Sequence, residues 1–521
     1  MKKWLSILVA LLCLTGCAPG EDPTGSTPDV TTPTPTGTYH DENRVMFSIA
    51  AAKGSPFNGG KFEGWGTSLC WFANRIGYSD TLAQKAAELL YNAETGLGMN
   101  IARYNIGGGD DPTHHHITRT DSMMPGFWRL DEETGEHIFD GTQDENQRNV
   151  LLRAMAQCGS SFIAEAFSNS PPYYMTESGC SSGANSASAD NLRPDQVDAF
   201  AQYLAQVALY YQEHYGITFQ SISPMNEPNT AYWEAFSPKQ EGCHVSSGER
   251  QSTLLLATQK ALEDVGLGDI LLAGTDETST VAAGNSFKKL SDEAKAILDR
   301  IDTHSYKIGK MEELQAMAVE HGKNLWMSEV DGDMVLGKNS GEMGAGLWLA
   351  NKMISDIQSL MPSAWILWQG IDNHISVDGY MGNQDFGMPD LSRGYWGLTV
   401  VDHDKQEILL TKKYYAFGQL SRYIRPGYQI LTTTDQGILA AYSQEDHRLV
   451  IVAVNVEETD VEAGFSLAGF RFGGGTAQVI RTSGKENWAQ LPEIPVQADM
   501  LRATLAPYSI TTFLVDNITL P

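Results

Sequence analysis

Short apolar runs and longer amphipathic stretches alternate along most of the chain, from about residue 60 to about residue 415. The apolar runs read as buried strands, and in the stretches between several of them, such as DTLAQKAAELLYN, apolar residues recur at helical spacing. Eight runs follow this pattern: KFEGWGTSL, MNIARYNIG, SSFIAEAFS, ITFQSISPM, DILLAGTD, IDTHSY, NLWMSEV and AWILWQG. Eight strands that alternate with helices predict an α/β fold, a (β/α)8 TIM barrel.

The pattern changes after about residue 420. Short strands such as RLVIVAVNVE and SITTFLVD are separated by turn residues, and no helical period is present. This pattern predicts a C-terminal β-sandwich over residues 419–521. An early strand, NRVMFSIA, precedes the barrel. We expect this N-terminal segment, residues 43–58, to complete the sandwich, and the barrel to span residues 59–418.

The first residues have the features of an export signal. Lys2 and Lys3 precede the apolar run WLSILVALLCL, which is too short for a permanent membrane span. The following LTGC resembles a bacterial lipobox, which predicts cleavage of residues 1–16 and lipidation of Cys17; the alternative is an ordinary secretory peptide. Residues 17–42 are rich in Pro and Thr and predict a disordered linker. The prediction is an exported bacterial lipoprotein, anchored in the membrane through its lipid, at the outer membrane or cell surface.

The net charge of the chain limits the classes of molecule that it could bind. The formal net charge is −28, which argues against nucleic acid as a partner, because binding phosphates requires Lys and Arg. It argues more weakly against acidic polysaccharides as the main substrate. We expect a monomer.

No metal site or cofactor is expected from the sequence. Cys70, Cys158, Cys180 and Cys243 form no CxxC pair, although an exported protein permits a disulfide between Cys180 and Cys243. The run HHH at residues 114–116 suggests a metal site, but three adjacent histidines do not easily converge on one ion. A loop that contacts substrate and a solvated loop both remain open for this run.

Polar and aromatic residues follow the predicted barrel strands, at the end where barrels of this type carry their chemistry. The candidates at these positions are Trp65, Arg103, Asn105, Asp110, Asn226, Glu227, His304, Tyr306, Glu329 and Trp368. We interpret Asn105 as a substrate-binding residue and His304 as a supporting one. Arg103 either contacts the carboxylates or forms an interior salt bridge. Asp110 either binds a sugar or caps a loop, and Trp65 either lines the cleft or belongs to the hydrophobic core.

Two of these candidates are glutamates, and they have a shared chemical use. Glu227 follows the fourth barrel strand and Glu329 ends the seventh, so they would face each other across the barrel mouth. Cleavage of a glycosidic bond needs two carboxyl groups, one to protonate the leaving oxygen and one to attack the anomeric carbon or to activate water. Asn226 is placed to bind a sugar hydroxyl, Glu227 to donate the proton, and Pro228 to restrict the backbone beside them.

The stretches FEGWGTSLCWFA, RYNIGGG, EAFSNSPPYYMT and SPMNEP, supported by THSY and WMSEV, resemble glycoside hydrolase family 30 over roughly residues 44–521. The resemblance implies that Glu227 is the acid/base and Glu329 the nucleophile. It also implies that Tyr306 hydrogen-bonds the nucleophile and that Trp368 forms an apolar platform under the sugar.

Within this family the chain is most similar to endo-β-1,6-galactanases, although Tyr174 stands where those enzymes usually carry Trp. The resemblance implies a secreted retaining enzyme that cleaves β-1,6-linked galactan, the side chains of arabinogalactan, by double displacement. The alternatives are a family 30 β-1,6-glucanase, a xylanase, an exo-acting β-glycosidase, or a non-catalytic glycan-binding lipoprotein.

Overall fold

The computed structural model describes residues 44–332, 339, 341–376, 395–433 and 436–520. The predicted signal peptide, Cys17 and the Pro/Thr linker lie outside these described residues.

A closed barrel of eight parallel strands forms the first part of the fold, as the alternating pattern predicted. Each apolar run quoted from the sequence overlaps one of its strands, and the last strand pairs with the first to close the barrel. An N-terminal strand, β1 (Val45–Gly54), precedes them. The barrel strands are β2 (Gly64–Ser68), β3 (Ile101–Asn105), β4 (Ile163–Phe167), β5 (Ser221–Ser223), β6 (Leu271–Ser279), β7 (Arg300–Lys307), β8 (Asn324–Glu329) and β9 (Ala364–Leu367).

Helices surround the barrel and bury their apolar faces against it. In the second helix, for example, the Ser79 side chain caps the first turn by accepting from the Leu82 N–H, and the buried face includes Leu82, Ala86 and Leu90. The described helices are α1 (Phe72–Ile76), α2 (Asp80–Tyr91), α3 (Glu145–Cys158), α4 (Val197–Tyr215), α5 (Glu249–Asp264), α6 (Thr280–Lys289), α7 (Asp292–Ile297), α8 (Met311–Glu320), α9 (Met343–Leu360) and α10 (Lys412–Ser421). Among the residues that the structure describes, no helix combines the length and apolar character needed to cross a bilayer.

The C-terminal module is a β-sandwich whose two sheets share strands at both edges, so that nine strands close around one core. Strand β1 supplies one shared edge, because it pairs antiparallel with β10 (Gln429–Thr433) and parallel with β13 (Val461–Ser466). The prediction that an N-terminal strand completes the sandwich is therefore confirmed. The module strands are β10 (Gln429–Thr433), β11 (Ile438–Ser443), β12 (Arg448–Asn455), β13 (Val461–Ser466), β14 (Thr476–Thr482), β15 (Ala489–Gln497), β16 (Met500–Leu505) and β17 (Ser509–Val515).

Three small sheets complete the described strands. Two of them have two strands each, in which Trp128–Leu130 pairs with His137–Phe139 and Arg471–Phe472 pairs with Ile518–Thr519. In the third, Thr399–Asp402 lies between Ile371–Ile375 and Glu407–Leu410.

The sandwich and the barrel share a hydrophobic core. Buried residues of the module, including Ile430, Val450 and Ile510, belong to the same cluster as the barrel side chains. At this junction the Gln419 amide donates to Thr482 Oγ1 over 2.8 Å. All four described cysteines are free thiols, so Cys180 and Cys243 form no disulfide.

Candidate active site

A cavity of about 330 Å³ opens beside the C-terminal ends of the barrel strands. Its lining residues come from the segments after β5 and β9 and from the C-terminal parts of β6, β7 and β8: Asn226, Glu227, Tyr232, Trp233, Ser237, Lys239, Gln240, Thr278, Tyr306, Glu329 and Trp368. Parallel strands all end at the same side of the barrel, which is why residues more than 100 positions apart meet here.

The two glutamates predicted from the sequence face each other in this cavity. An oxygen of Glu227 and an oxygen of Glu329 lie within 4.8 Å of each other, and both side chains are largely buried. His304 lies between them, with Nδ1 3.0 Å from Glu227 Oε1 and 3.4 Å from Glu329 Oε1. The site therefore holds two carboxyl groups close enough to act on a single atom placed between them.

Glu329 is held by donors on both of its oxygens. Arg103 Nη1 donates to Oε2 over 2.7 Å, and the Tyr306 hydroxyl donates to Oε1 over 3.0 Å. Burial raises the pKa of Glu329 above its ordinary value, and the positive charges of His304 and Arg103 oppose that rise. The carboxyl group is thus fixed in position, and the nearby cations favour its charged form.

Glu227 occupies a backbone conformation that is rare for residues other than glycine, with φ at +46°. Its N–H donates to the Asp276 carbonyl over 2.8 Å, and its Oε2 accepts a hydrogen bond from the Tyr232 hydroxyl. The next residue, Pro228, accepts from the Val245 N–H over 2.8 Å. These bonds hold the turn after β5 in the shape that points Glu227 into the cavity.

Arg103 lies beneath the cavity and joins several of its groups. Besides Glu329, it contacts Asn226 Oδ1 over 3.0 Å, Asp276 Oδ2 over 2.5 Å and Glu165 Oε1 over 3.3 Å, and its own side chain is fully buried. Arg103 therefore fits both interpretations from the sequence, because it contacts one of the paired carboxylates and is also part of an interior ion-pair network.

His304 is positively charged at neutral pH. Burial by itself would lower the pKa of His304, but the attraction of Glu329 and the hydrogen bond to Asp276 outweigh burial and raise it to about 10. The Nε2 atom lies 3.2 Å from Asp276 Oδ1, so the imidazolium donates to Asp276 on one side and to Glu227 on the other. The ring places a positive charge between the two glutamates.

Three predicted substrate-binding residues line the cavity. Asn226 lies beside Glu227, and Tyr306 reaches Glu329. Trp368 packs edge-to-face on the buried Trp71, with ring centroids 5.5 Å apart. The ring of Trp368 is therefore supported from behind and partly open to the cavity.

The other three predicted substrate-binding residues, Trp65, Asn105 and Asp110, do not line this cavity. The expectation that Trp65 lines the cleft is wrong: Trp65 is 0% exposed and donates from Nε1 to the Ile424 carbonyl, because its ring points outward from β2 into the core beside α10. Asn105 is also 0% exposed, and its amide donates to Glu241 over 2.7 Å. Asp110 lies instead on a neighbouring cavity.

The loop after β5 contributes residues that the sequence analysis missed. Tyr232 and Trp233 flank Glu227, and Lys239 and Gln240 line the cavity beside them. The adjacent aromatic residues Tyr232 and Trp233 lie shortly after the NEP turn, and they were the sequence signal that could have identified this loop as part of the site. Asp276 was missed because it lies within β6, in a stretch without an aromatic or amide neighbour.

Comparison with known proteins agrees with this geometry. The model of O-glycosyl hydrolase family 30 matches residues 60–381. An endo-beta-1,6-galactanase of Hypocrea rufa is 30% identical over 486 residues, which cover 89% of this chain and 94% of that protein. An exo-beta-1,6-galactobiohydrolase of Bifidobacterium longum subsp. longum is 26% identical over 67% of this chain and 29% of its own length. The catalytic domain of GH30 xylanase C from Talaromyces cellulolyticus has the same fold, with a TM-score of 0.66 at 17% identity over 90% of this chain and 100% of that one. The family match spans all eight barrel strands and both glutamates.

Proposed function

The chain belongs to glycoside hydrolase family 30, and from that premise we propose that this glycosidase is a retaining endo-β-1,6-galactanase that works by double displacement. The observation that carries the mechanism is the short separation of the glutamates, with an oxygen of each within 4.8 Å. Retaining enzymes place their carboxyl groups about 5–5.5 Å apart, whereas inverting enzymes leave about 6.5–9.5 Å for a water molecule. The distance supports direct attack by one of the two carboxylates.

In the first step, a Glu329 oxygen attacks the anomeric carbon while the bond from that carbon to the leaving oxygen breaks. Glu227 gives its proton to the leaving oxygen, and a glycosyl ester forms on Glu329. In the second step, Glu227 takes a proton from water, the water oxygen attacks the anomeric carbon, and Glu329 is released as a carboxylate. The sugar leaves with its original configuration.

The assignment of roles rests on the contacts of each glutamate. Arg103 donates directly to Glu329, which favours the ionised form that a nucleophile needs. Glu227 alternates between protonated and charged forms, and the His304 imidazolium donates to it over 3.0 Å. That donor stabilises the negative charge left on Glu227 after it has protonated the leaving group.

Asn226 and Trp368 complete the proposed sugar site. The Asn226 amide oxygen accepts from Arg103, and its nitrogen donates to Asn169 Oδ1 over 2.9 Å. Since an amide nitrogen carries two hydrogens, one remains for a sugar hydroxyl beside the anomeric carbon. The Trp368 ring provides an apolar face against which a pyranose packs.

The choice of β-1,6-galactan rests on two relatives whose names specify this linkage. The test is digestion of β-1,6-galactan, β-1,6-glucan, β-1,3- and β-1,4-galactan and glucuronoxylan, with the products sized over time. We expect β-1,6-galactan to be cut fastest, with an early ladder of oligosaccharides. Release of a single short product from the start would indicate exo action, and preference for another polymer would overturn the galactan assignment. Binding without cleavage of any polymer would indicate a non-catalytic glycan-binding protein.

We also propose, from the sequence, that the protein is exported, lipidated at Cys17 and monomeric. In a bacterial host, metabolic labelling with a fatty acid should mark the wild-type chain and not a Cys17→Ala variant. Equal labelling of the two chains would contradict lipidation at that residue. Light scattering of the chain without residues 1–42 should give the mass of one copy.

A further inference from the structure

A second cavity, of about 430 Å³, is lined by Asp110, His114 and His116, side chains that the proposed mechanism does not use. Asp110, His114 and His116 come from the loop after β3, and Cys180 comes from the loop after β4. Each of the four offers one ligand atom, and these atoms all lie within 4.8 Å of one another. Two loops that are 64 residues apart thus bring together a carboxylate, two imidazoles and a thiol.

The separations within this group match the edges of a zinc coordination sphere. His114 Nδ1 lies 3.3 Å from Asp110 Oδ1, His116 Nε2 lies 3.5 Å from Asp110 Oδ2, and the same Nε2 lies 3.5 Å from Cys180 Sγ. Tetrahedral Zn²⁺ bonds nitrogen and oxygen at about 2.0–2.2 Å and sulfur at about 2.3 Å, which places neighbouring ligand atoms roughly 3.3–3.6 Å apart. The His114–Asp110 and His116–Cys180 contacts are also within hydrogen-bonding distance, and the contacts involve both oxygens of Asp110, of which one would be the ligand. All three separations fall in the range expected for neighbouring ligands around one ion.

Hydrogen bonding in this group also points to a ligand. Asp110 Oδ2 and His116 Nδ1 are buried, and neither atom has a hydrogen-bond partner among the described residues. Buried polar atoms without a partner are rare in native proteins, and an ion coordinated by Asp110 Oδ2 would satisfy that oxygen. Cys180 Sγ accepts a hydrogen bond from the Phe236 N–H over 3.3 Å, which helps to fix the sulfur in position.

We propose that Asp110, His114, His116 and Cys180 bind one Zn²⁺ ion. Imidazole and thiolate ligands select zinc over magnesium or calcium, and four protein ligands make a closed site of the structural type. The ion takes the place of the thiol proton, which passes to solvent. Its role is to join the loop after β3 to the loop after β4 at the rim of the active-site face. The proposal of this zinc site does not depend on which sugar the enzyme cleaves.

The histidine run itself supplies a matched control for the test. His115 is exposed and contributes no ligand atom to the group. The experiment compares the wild type with Cys180→Ser, His116→Ala and His115→Ala. Each chain is stripped with a chelator, dialysed against Zn²⁺ and then against metal-free buffer, and its zinc content is measured by mass spectrometry. Circular dichroism of each chain checks that the fold is retained.

We expect close to one zinc ion per chain in the wild type and in His115→Ala, and close to none in Cys180→Ser and His116→Ala. Titration should show a loss of affinity larger than the roughly 10–100-fold that removal of an outer-sphere partner costs. Co²⁺ in the wild type should give a sulfur-to-cobalt charge-transfer band that is absent in Cys180→Ser.

Three results would overturn the proposal. The first is a wild-type chain that retains no zinc after dialysis. The second is a zinc content that falls equally in His115→Ala, and the third is Co²⁺ binding without the thiolate band. The wild-type stoichiometry and its cobalt spectrum decide the question even if a ligand variant fails to fold.

Discussion

Replacing Arg103 with methionine removes the cation at the centre of the buried charge network while retaining a side chain that still fills much of the space. The guanidinium contacts Glu165, Asp276 and Glu329, and all of these side chains are at most 5% exposed. Removing one partner of a buried pair costs about 3–5 kcal/mol, because the other partner is left charged in a poorly solvated place.

The contacts of the three carboxylates place the loss near the lower end of that range. Glu165 keeps an ion pair with Arg300, and Asp276 keeps its hydrogen bonds from His304 and Ser328. Glu329 loses its guanidinium partner and keeps Tyr306. We therefore expect the free energy of unfolding to fall by about 3 kcal/mol, a large part of the roughly 5–15 kcal/mol that stabilises a native protein.

Urea denaturation followed by tryptophan fluorescence measures this loss, with Arg448→Met as the matched control. Arg448 makes a two-point ion pair with Asp516 in the β-sandwich, and these side chains are 32% and 38% exposed. Solvent screens that pair, so its loss should cost less than about 1 kcal/mol. Equal denaturation midpoints for the wild type and Arg103→Met, or a larger shift for Arg448→Met, would refute the central place of Arg103 in the network.

Three further predictions concern the glutamates and the histidine between them. Glu329→Gln should keep its circular dichroism spectrum and lose at least about 1000-fold in turnover, and a rate near that of the wild type would exclude Glu329 as nucleophile. Glu227→Ala should still react with an aryl glycoside that has a good leaving group, and azide should speed its turnover by yielding a glycosyl azide; no effect of azide would argue against the acid/base role. Since the folded-state pKa of His304 is raised to about 10, its charge stabilises the fold fully below the unfolded value of about 6.5, and this contribution is lost as pH rises towards 10. Unfolding measured from pH 6 to about 10 should therefore show a steeper loss of stability in the wild type than in His304→Gln, and parallel curves would contradict that pKa.

The barrel could be predicted because each buried strand leaves a local signal. Strands covered on both faces read as short continuous apolar runs, and all eight quoted runs overlap a barrel strand. The pairing of Glu227 with Glu329 followed from the same reasoning, since the ends of parallel strands meet at one face. The sandwich could be predicted for a similar reason, through turn residues between short strands.

The direction in which a side chain points could not be predicted from the sequence. Both Trp65 and Trp368 were predicted at strand ends, yet Trp65 lies near the start of β2 and packs into the core, while Trp368 follows β9 and faces the cavity. Alternation along a strand does not separate them, because both faces of a barrel strand are buried.

The histidine run shows the second limit of prediction from sequence. Two of its members meet Cys180, which is distant in sequence and belongs to a loop without periodicity. Contacts between loops depend on how each loop folds over the barrel mouth, and neither composition nor spacing specifies that path.

The most direct test of the central claim is the configuration of the first product. Proton NMR during hydrolysis of the polymer that the digestion panel identifies distinguishes the α and β anomers before they interconvert. Two glutamates with oxygens within 4.8 Å of each other predict that the β anomer appears first. Initial release of the α anomer would mean that water, and not Glu329, attacks the anomeric carbon.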